Sequence, residues 1–205
     1  MRKQLKVIKL AGLLLIGATR LAIADGEDAY REPSPDYLRR FHEDGAKSFV
    51  LERFDAEGRL VKRSAEALEG EVEIEGPLVR TIAGNRFSLR GLTACPTDKV
   101  VYNSVQSWAC DAAALDYADA VYNRRASVIL CKTLVLTPVD RETIPASCFA
   151  LVGGNGEPLK TVNDDDSMVF LGLAAIGRTQ DGRSRRPDLE ASQSLSRSMG
   201  FWNAD

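Results

Sequence analysis

Four cysteines, a single histidine, three consecutive aspartates and a cluster of arginines are the residues of this 205-residue chain best equipped for chemistry. Cys95, Cys110, Cys131 and Cys148 are even in number, and none of their spacings is C-x-x-C. With His42 as the only histidine, a zinc site lacks its usual ligand set, and a nucleophilic thiol lacks an obvious base. In an exported chain such a set reads as two disulfides, with three pairings open. Asp164, Asp165 and Asp166 offer the oxygen ligands that calcium takes, but consecutive acids do not share a face, and a solvated loop is the plainer reading. Arg183, Arg185 and Arg186 read as a basic solvated loop, with contact to an anionic polymer as the second reading. Trp108 and Trp202 have rings that stack on a base or a sugar, yet tryptophan in a domain of this size is more often core. His42 reads as a surface residue.

The chain opens with Arg2, Lys3, Lys6 and Lys9, then the apolar run Leu10 to Ala18, then Ala22-Ile23-Ala24 before Asp25. That order of charge, short apolar core and small residues predicts a secretory signal peptide over residues 1–24. The run falls short of the roughly 20 residues needed to cross a bilayer. No cysteine sits at the cleavage site, so a lipoprotein is not expected; an uncleaved anchor is the alternative. The expected location is periplasmic or secreted. Lys and Arg number 27 against 29 Asp and Glu, and the leader holds five of the basic residues and no acid, leaving the remainder near −7. Such a surface disfavours nucleic acid, whose binding needs Lys and Arg to replace counterions.

Residues 25–46 are polar, with Pro33 and Pro35, and are expected to bury little and to drape over the surface. Ser48 to Phe54 and Arg59 to Arg63 flank Asp55-Ala56-Glu57-Gly58, which predicts a hairpin carrying Phe49, Leu51 and Leu60. Residues 25–66 are therefore read as an N-terminal extension to a domain spanning 67–205. In that domain Val72 and Ile74 alternate with acids, and Leu78 to Ile82 leads into Ala83-Gly84-Asn85, a strand and turn. Phe87, Leu89 and Leu92 continue the strand pattern. Asp111 stands as an N-cap before an alanine-rich helix running to about Arg124. Ser127 to Leu136 and Ser147 to Val152 read as strands, Ser167 to Ala175 as a short helix, and Pro187 to Met199 as a final helix. The predicted fold class is α+β, mainly β: a five-stranded OB-type barrel with about three helices.

Several short segments, in one order over roughly residues 70–205, resemble the thermonuclease (staphylococcal nuclease-like) family. Phe87 to Ala94 (FSLRGLTA) is similar to that family's Arg-Leu-x-Gly-Ile-Asp-Ala-Pro-Glu strand. Trp108-Ala109-Cys110-Asp111 resembles the Trp-x-Cys-Gly helix entry of its secreted bacterial members, and Val128 to Cys131 its next strand. Asp140-Arg141 resembles the start of Asp-Arg-Tyr-Gly-Arg, Met168 to Ala174 resembles Leu-Val-Arg-Gln-Gly-Leu-Ala, and Gly200-Phe201-Trp202 the closing Gly-Leu-Trp. The resemblance implies that the strands bearing Cys131 and Cys148 are antiparallel neighbours, hence a Cys131–Cys148 disulfide, with Cys95–Cys110 as the other.

Phosphodiester hydrolysis, as the resemblance implies it, needs aspartates on a calcium ion, a glutamate orienting water and two arginines on the phosphate. Those positions are altered here. The metal-binding Asp-Gly-Asp-Thr turn falls on Glu75-Gly76-Pro77-Leu78, and the strand arginine on Ser88, with Arg90 displaced from it. The turn's second aspartate thus becomes Pro77, the aspartate of Ile-Asp-Ala-Pro-Glu falls on Thr93 and its glutamate on Pro96, and the arginine of Asp-Arg-Tyr-Gly-Arg falls on Ile144. Glu75, Arg90, Asp98 and Arg141 are the residues available to a slipped register. The implied protein has no catalytic residues, no metal and no cofactor, and resembles an exported accessory factor in exopolysaccharide (succinoglycan) biosynthesis. Its expected partners are polysaccharide or envelope assembly proteins. An active calcium-dependent nuclease with a rearranged site is the rival, and a protein-interaction module using residues 25–66 is the third reading.

Overall fold

The structure is a computed structural model that describes residues 30–43, 45–95, 100–102, 107–135, 142–154 and 156–199. The predicted leader, Pro96, Asp98, Asp140, Arg141, and the Gly200-Phe201-Trp202 segment lie outside the described residues.

Strands β9 (Ala126–Leu134) and β10 (Ile144–Gly154) form the centre of the fold and pair antiparallel, with Cys131 opposite Cys148. Both are buried along nearly their whole length, and successive residues face opposite sides of the sheet. Val128, Leu130, Phe149 and Leu151 face one layer; Ile129, Cys131, Cys148 and Ala150 face the other. Both faces must therefore be covered by other parts of the chain.

The first cover is α1 (Pro35–Arg39). Ser34 caps it, its Oγ accepting from the Tyr37 N–H at 3.2 Å, and Pro35 supplies a preset first helical residue. Leu38 is fully buried against Val50, Val128, Leu130, Phe149 and Leu151. The expectation that residues 25–46 bury little is corrected here: Leu38, with Tyr37 and Phe41 packed beside it, covers a face of the sheet. Backbone carbonyls hold the strand-like approach to α1, with Arg31 O accepting from Lys132 Nζ at 2.7 Å and Pro33 O from Thr161 Oγ1 at 2.9 Å.

The predicted hairpin forms from β1 (Ser48–Phe54) and β2 (Leu60–Ala67). The Asp55 carboxylate shapes its turn by accepting from the N–H groups of Glu57 and Arg59. The hairpin is built into the sheet, because β1 also pairs in parallel with β9. Phe49 enters the core beside Phe87, whereas Leu60 stays exposed on β2.

On the other side lie β3 (Glu73–Gly76), β4 (Val79–Ile82) and β5 (Asn85–Leu89), an antiparallel meander. β5 joins β10 in parallel over three residues, and β11 (Glu157–Asn163) pairs antiparallel with the far half of β10. The order is β2-β1-β9-β10-β5-β4-β3, with β11 also on β10. This is a mixed α+β fold dominated by an eight-stranded sheet with free ends at β2 and β3; hydrogen bonding does not close it into a five-stranded barrel. Two small pairs complete the strands: β6 (Leu92–Ala94) with β12 (Ala174–Ile176), and β7 (Val100–Tyr102) with β8 (Ser107–Ala109).

The second face is covered by α2 (Cys110–Asp119) and the π-helical turn Ala120–Arg125 that continues it. Ala118, Val121 and Tyr122 pack on Ile129, Cys131 and Ala150. The helix starts ahead of the predicted cap: Ala109 holds the N-cap position, and the Asp111 carboxylate accepts only from the neighbouring Ala112 N–H. The Cys95–Cys110 disulfide anchors this first turn, and Cys131–Cys148 staples β9 to β10. These are the two bridges that the resemblance implies, and each closes a loop of a size worth about 3 kcal/mol.

α3 (Asp164–Phe170) and α4 (Glu190–Ser198), the latter led in by a tight helical turn at Pro187–Leu189, finish the chain. α3 begins three residues before the predicted Ser167, because Asn163 caps it by accepting from the Asp166 N–H, and acids suit a helix start. The helix stops at Phe170, and Ala174 and Ala175 lie in strand β12.

Candidate functional site

Successive helical residues point about 100° apart, so the three aspartates opening α3 face three different parts of the protein. Asp164 points at Arg80 (3.4 Å) and accepts from Tyr122 Oη at 2.8 Å. Asp165 meets Arg186 and accepts from Ser147 Oγ at 2.6 Å. Asp166 turns outward and accepts from Ser192 Oγ on α4. Asp164 and Asp165 are buried, which corrects the solvated-loop reading of this run. Pointing apart, the three carboxylates do not gather on one ion, and no cluster of three metal-type ligands occurs among the described residues.

Arg80 is fully buried on β4, two residues before the buried Ile82 and so on the same inward face. Its guanidinium donates to the carbonyls of Gly76 (2.9 Å), Pro77 (3.0 Å) and Val79 (3.2 Å) and faces the Tyr122 ring. The turn on which the resemblance places a metal site is thus filled from inside by an arginine. Arg186 is buried as well, correcting the reading of residues 183–186 as a solvated basic loop; Arg183 does stay exposed and pairs with Asp181. Arg186 donates to both Asp188 oxygens, to Asp165 and to the Arg90 carbonyl at 3.0 Å. Gly91 makes this approach possible: its φ is +67°, and a Cβ there would come within 3.0 Å of the Arg186 side chain.

Burial sets the electrostatics of the network. It pushes the Asp165 carboxyl up to about 6, against the attraction of Arg186 and the Ser147 hydroxyl. Burial also opposes the charge on Arg186, but the bonds to Asp188 and the charges of Asp165 and Asp188 prevail and hold its pKa above the ordinary value. Burial raises Tyr122 well above a usual phenol, with the Asp164 charge adding to the effect.

The remaining sequence-predicted positions do not converge. Glu75 accepts from Thr81 and from Arg86 Nε (2.7 Å) on the exposed face of the meander, bonds that keep its carboxyl below the usual range. Ser88 lies in β5, Thr93 is exposed in β6, and Ile144 is buried at the start of β10 opposite Phe87. His42 is exposed after α1. Trp108 lies in β8.

Beside the network opens a cavity of about 630 Å³, between the Tyr30–Glu32 segment, the β5–β6 turn, the start of α3 and residues 185–189. Arg90 stands in its wall with its guanidinium 3.8 Å from the centroid of the Tyr30 ring. The Arg90 Nε is buried and has no hydrogen-bond partner among the described residues. Burial, and then the nearby Arg186 charge, lower the Arg90 pKa. Sequence reading missed this cavity because one wall belongs to the extension, and only the fold brings Tyr30 to Arg90.

No protein-family model matches the chain, and no curated protein matches it.

Proposed function

We propose that this chain is an exported, non-catalytic protein on a nuclease-like core that acts as an accessory factor in bacterial exopolysaccharide (succinoglycan) biosynthesis. One observation carries the non-catalytic part. Arg80, Asp164, Asp165 and Arg186, four buried charges of the domain, are turned on each other and on backbone carbonyls, where they serve folding. The positions at which the resemblance requires acids and arginines hold Pro77, Ser88, Thr93 and Ile144. In this reading the β3–β4–β5 meander with β9 and β10 is an OB-type core, and the β1–β2 hairpin is an addition that widens its sheet. The parallel β5–β10 contact supports that reading, since it folds the meander back onto the central pair. The leader-like opening and two disulfides support export. An OB-type face takes oligosaccharides as well as oligonucleotides.

The test is a deletion strain. Loss of polysaccharide yield or altered composition, restored by the wild-type gene, is expected; an unchanged polymer would remove the biological role.

A second reading, a protein-interaction module, draws on β2. All eight of its residues are exposed and its outer edge pairs with no strand among the described residues, as strand-adding partners require. A partner that co-purifies with the wild type and is lost from Val61→Glu would favour it.

A further inference from the structure

The cavity beside Arg90 is lined by three arginines and three acids. Arg31, Arg90 and Arg185 line it, and none of the three has an ion-pair partner among the described residues. Of the acids on the same wall, Asp188 holds Arg186 and Asp166 accepts from Ser192, while burial and the Asp166 charge raise the pKa of Glu32 against a hydrogen bond from Asn163. Arg90 adds an Nε–H that has no hydrogen-bond partner among the described residues.

We propose that this cavity binds an acidic saccharide, with a sugar carboxylate seated on Arg90 and Arg185; the assignment of sugar as ligand rests on the polysaccharide reading above. A guanidinium fork matches a carboxylate, and stacking on Tyr30 fixes the Arg90 plane. The volume lies within the roughly 300–1,000 Å³ of ligand pockets. Asn163, Asp166 and Asp188 are among its lining residues and offer polar groups to hydroxyls. Those same acids count against a nucleic-acid strand. A nucleic-acid strand binds by replacing its counterions with Lys and Arg, and the carboxylates on this wall work against that.

Titration calorimetry on the purified protein with trigalacturonate, neutral cellotriose and hexathymidylate tests the proposal. Saturable binding of trigalacturonate is expected, about tenfold tighter than cellotriose and weakened about tenfold by Arg90→Gln and by Arg185→Gln. Arg185 is exposed, so its substitution leaves the fold in place if Arg90→Gln does not. Equal affinity for the two sugars, or indifference to both substitutions, overturns the carboxylate site and leaves the saccharide reading standing. No binding of any probe overturns the site, with the deletion strain still deciding the biological role. Preference for hexathymidylate overturns both.

Discussion

Asp165 on α3 and Arg186 ahead of α4 meet inside the protein, with side chains 0% and 2% exposed, and tie together two segments 21 residues apart. Ser147 of β10 joins them through its hydroxyl, and the Arg90 carbonyl through the guanidinium. One carboxylate and one guanidinium thus connect the central sheet, the β5–β6 turn and both C-terminal helices.

This pair has a pH signature. The folded protein holds Asp165 near 6, against an ordinary value of 3.8, so between those values it keeps a proton that the unfolded chain has released. The stability contributed by that difference is full below about pH 4 and is lost as pH rises through 6. Asp165→Asn removes the dependence. Its cost relative to wild type is expected to be about 2–3 kcal/mol greater at pH 4 than at pH 7.5. Urea unfolding of both proteins at both pH values gives the difference, from which the other titrating groups cancel; a cost independent of pH would contradict the assignment.

Arg80 offers a different experiment. Arg80→Met leaves Asp164 buried without its cation and three turn carbonyls without their donor, and is expected to cost about 3–5 kcal/mol. The double variant Arg80→Met, Asp164→Leu should recover much of that loss, since an apolar replacement of both partners carries no stranded charge. A double variant no more stable than the single would show that the pair is not the coupling unit.

Leu38 tests whether the extension belongs to the fold. Leu38→Ala is expected to lower stability by about 2–5 kcal/mol, the range for a leucine removed from a closed core. A segment merely draped on the surface would give a change close to zero in the same denaturation curve.

The sequence shows the central sheet plainly and the charge network hardly at all. β9 and β10 are β-branched apolar runs, and Pro187 marks the final helical segment, so local chemistry reveals them. β11 escapes because Glu157, Pro158 and Lys160 give an edge strand no apolar alternation to read. Helix α1 escapes because a single buried leucine stands among polar residues, although Ser34-Pro35 is a legible start signal. Arg80 and Arg186 are arginines, a type found outside by default, and what buries them is partners far along the chain. The inward phase of β4, with Arg80 two residues from Ile82, was the one local sign.

On the proposed reading Arg80, Asp164, Asp165 and Arg186 form structural pairs and the protein cleaves no nucleic acid. Incubating the purified protein with DNA and RNA in the presence of calcium tests it most directly. Intact substrates, indistinguishable from those in a chelator-treated control, are the predicted result; cleavage that calcium supports and chelator abolishes would contradict it.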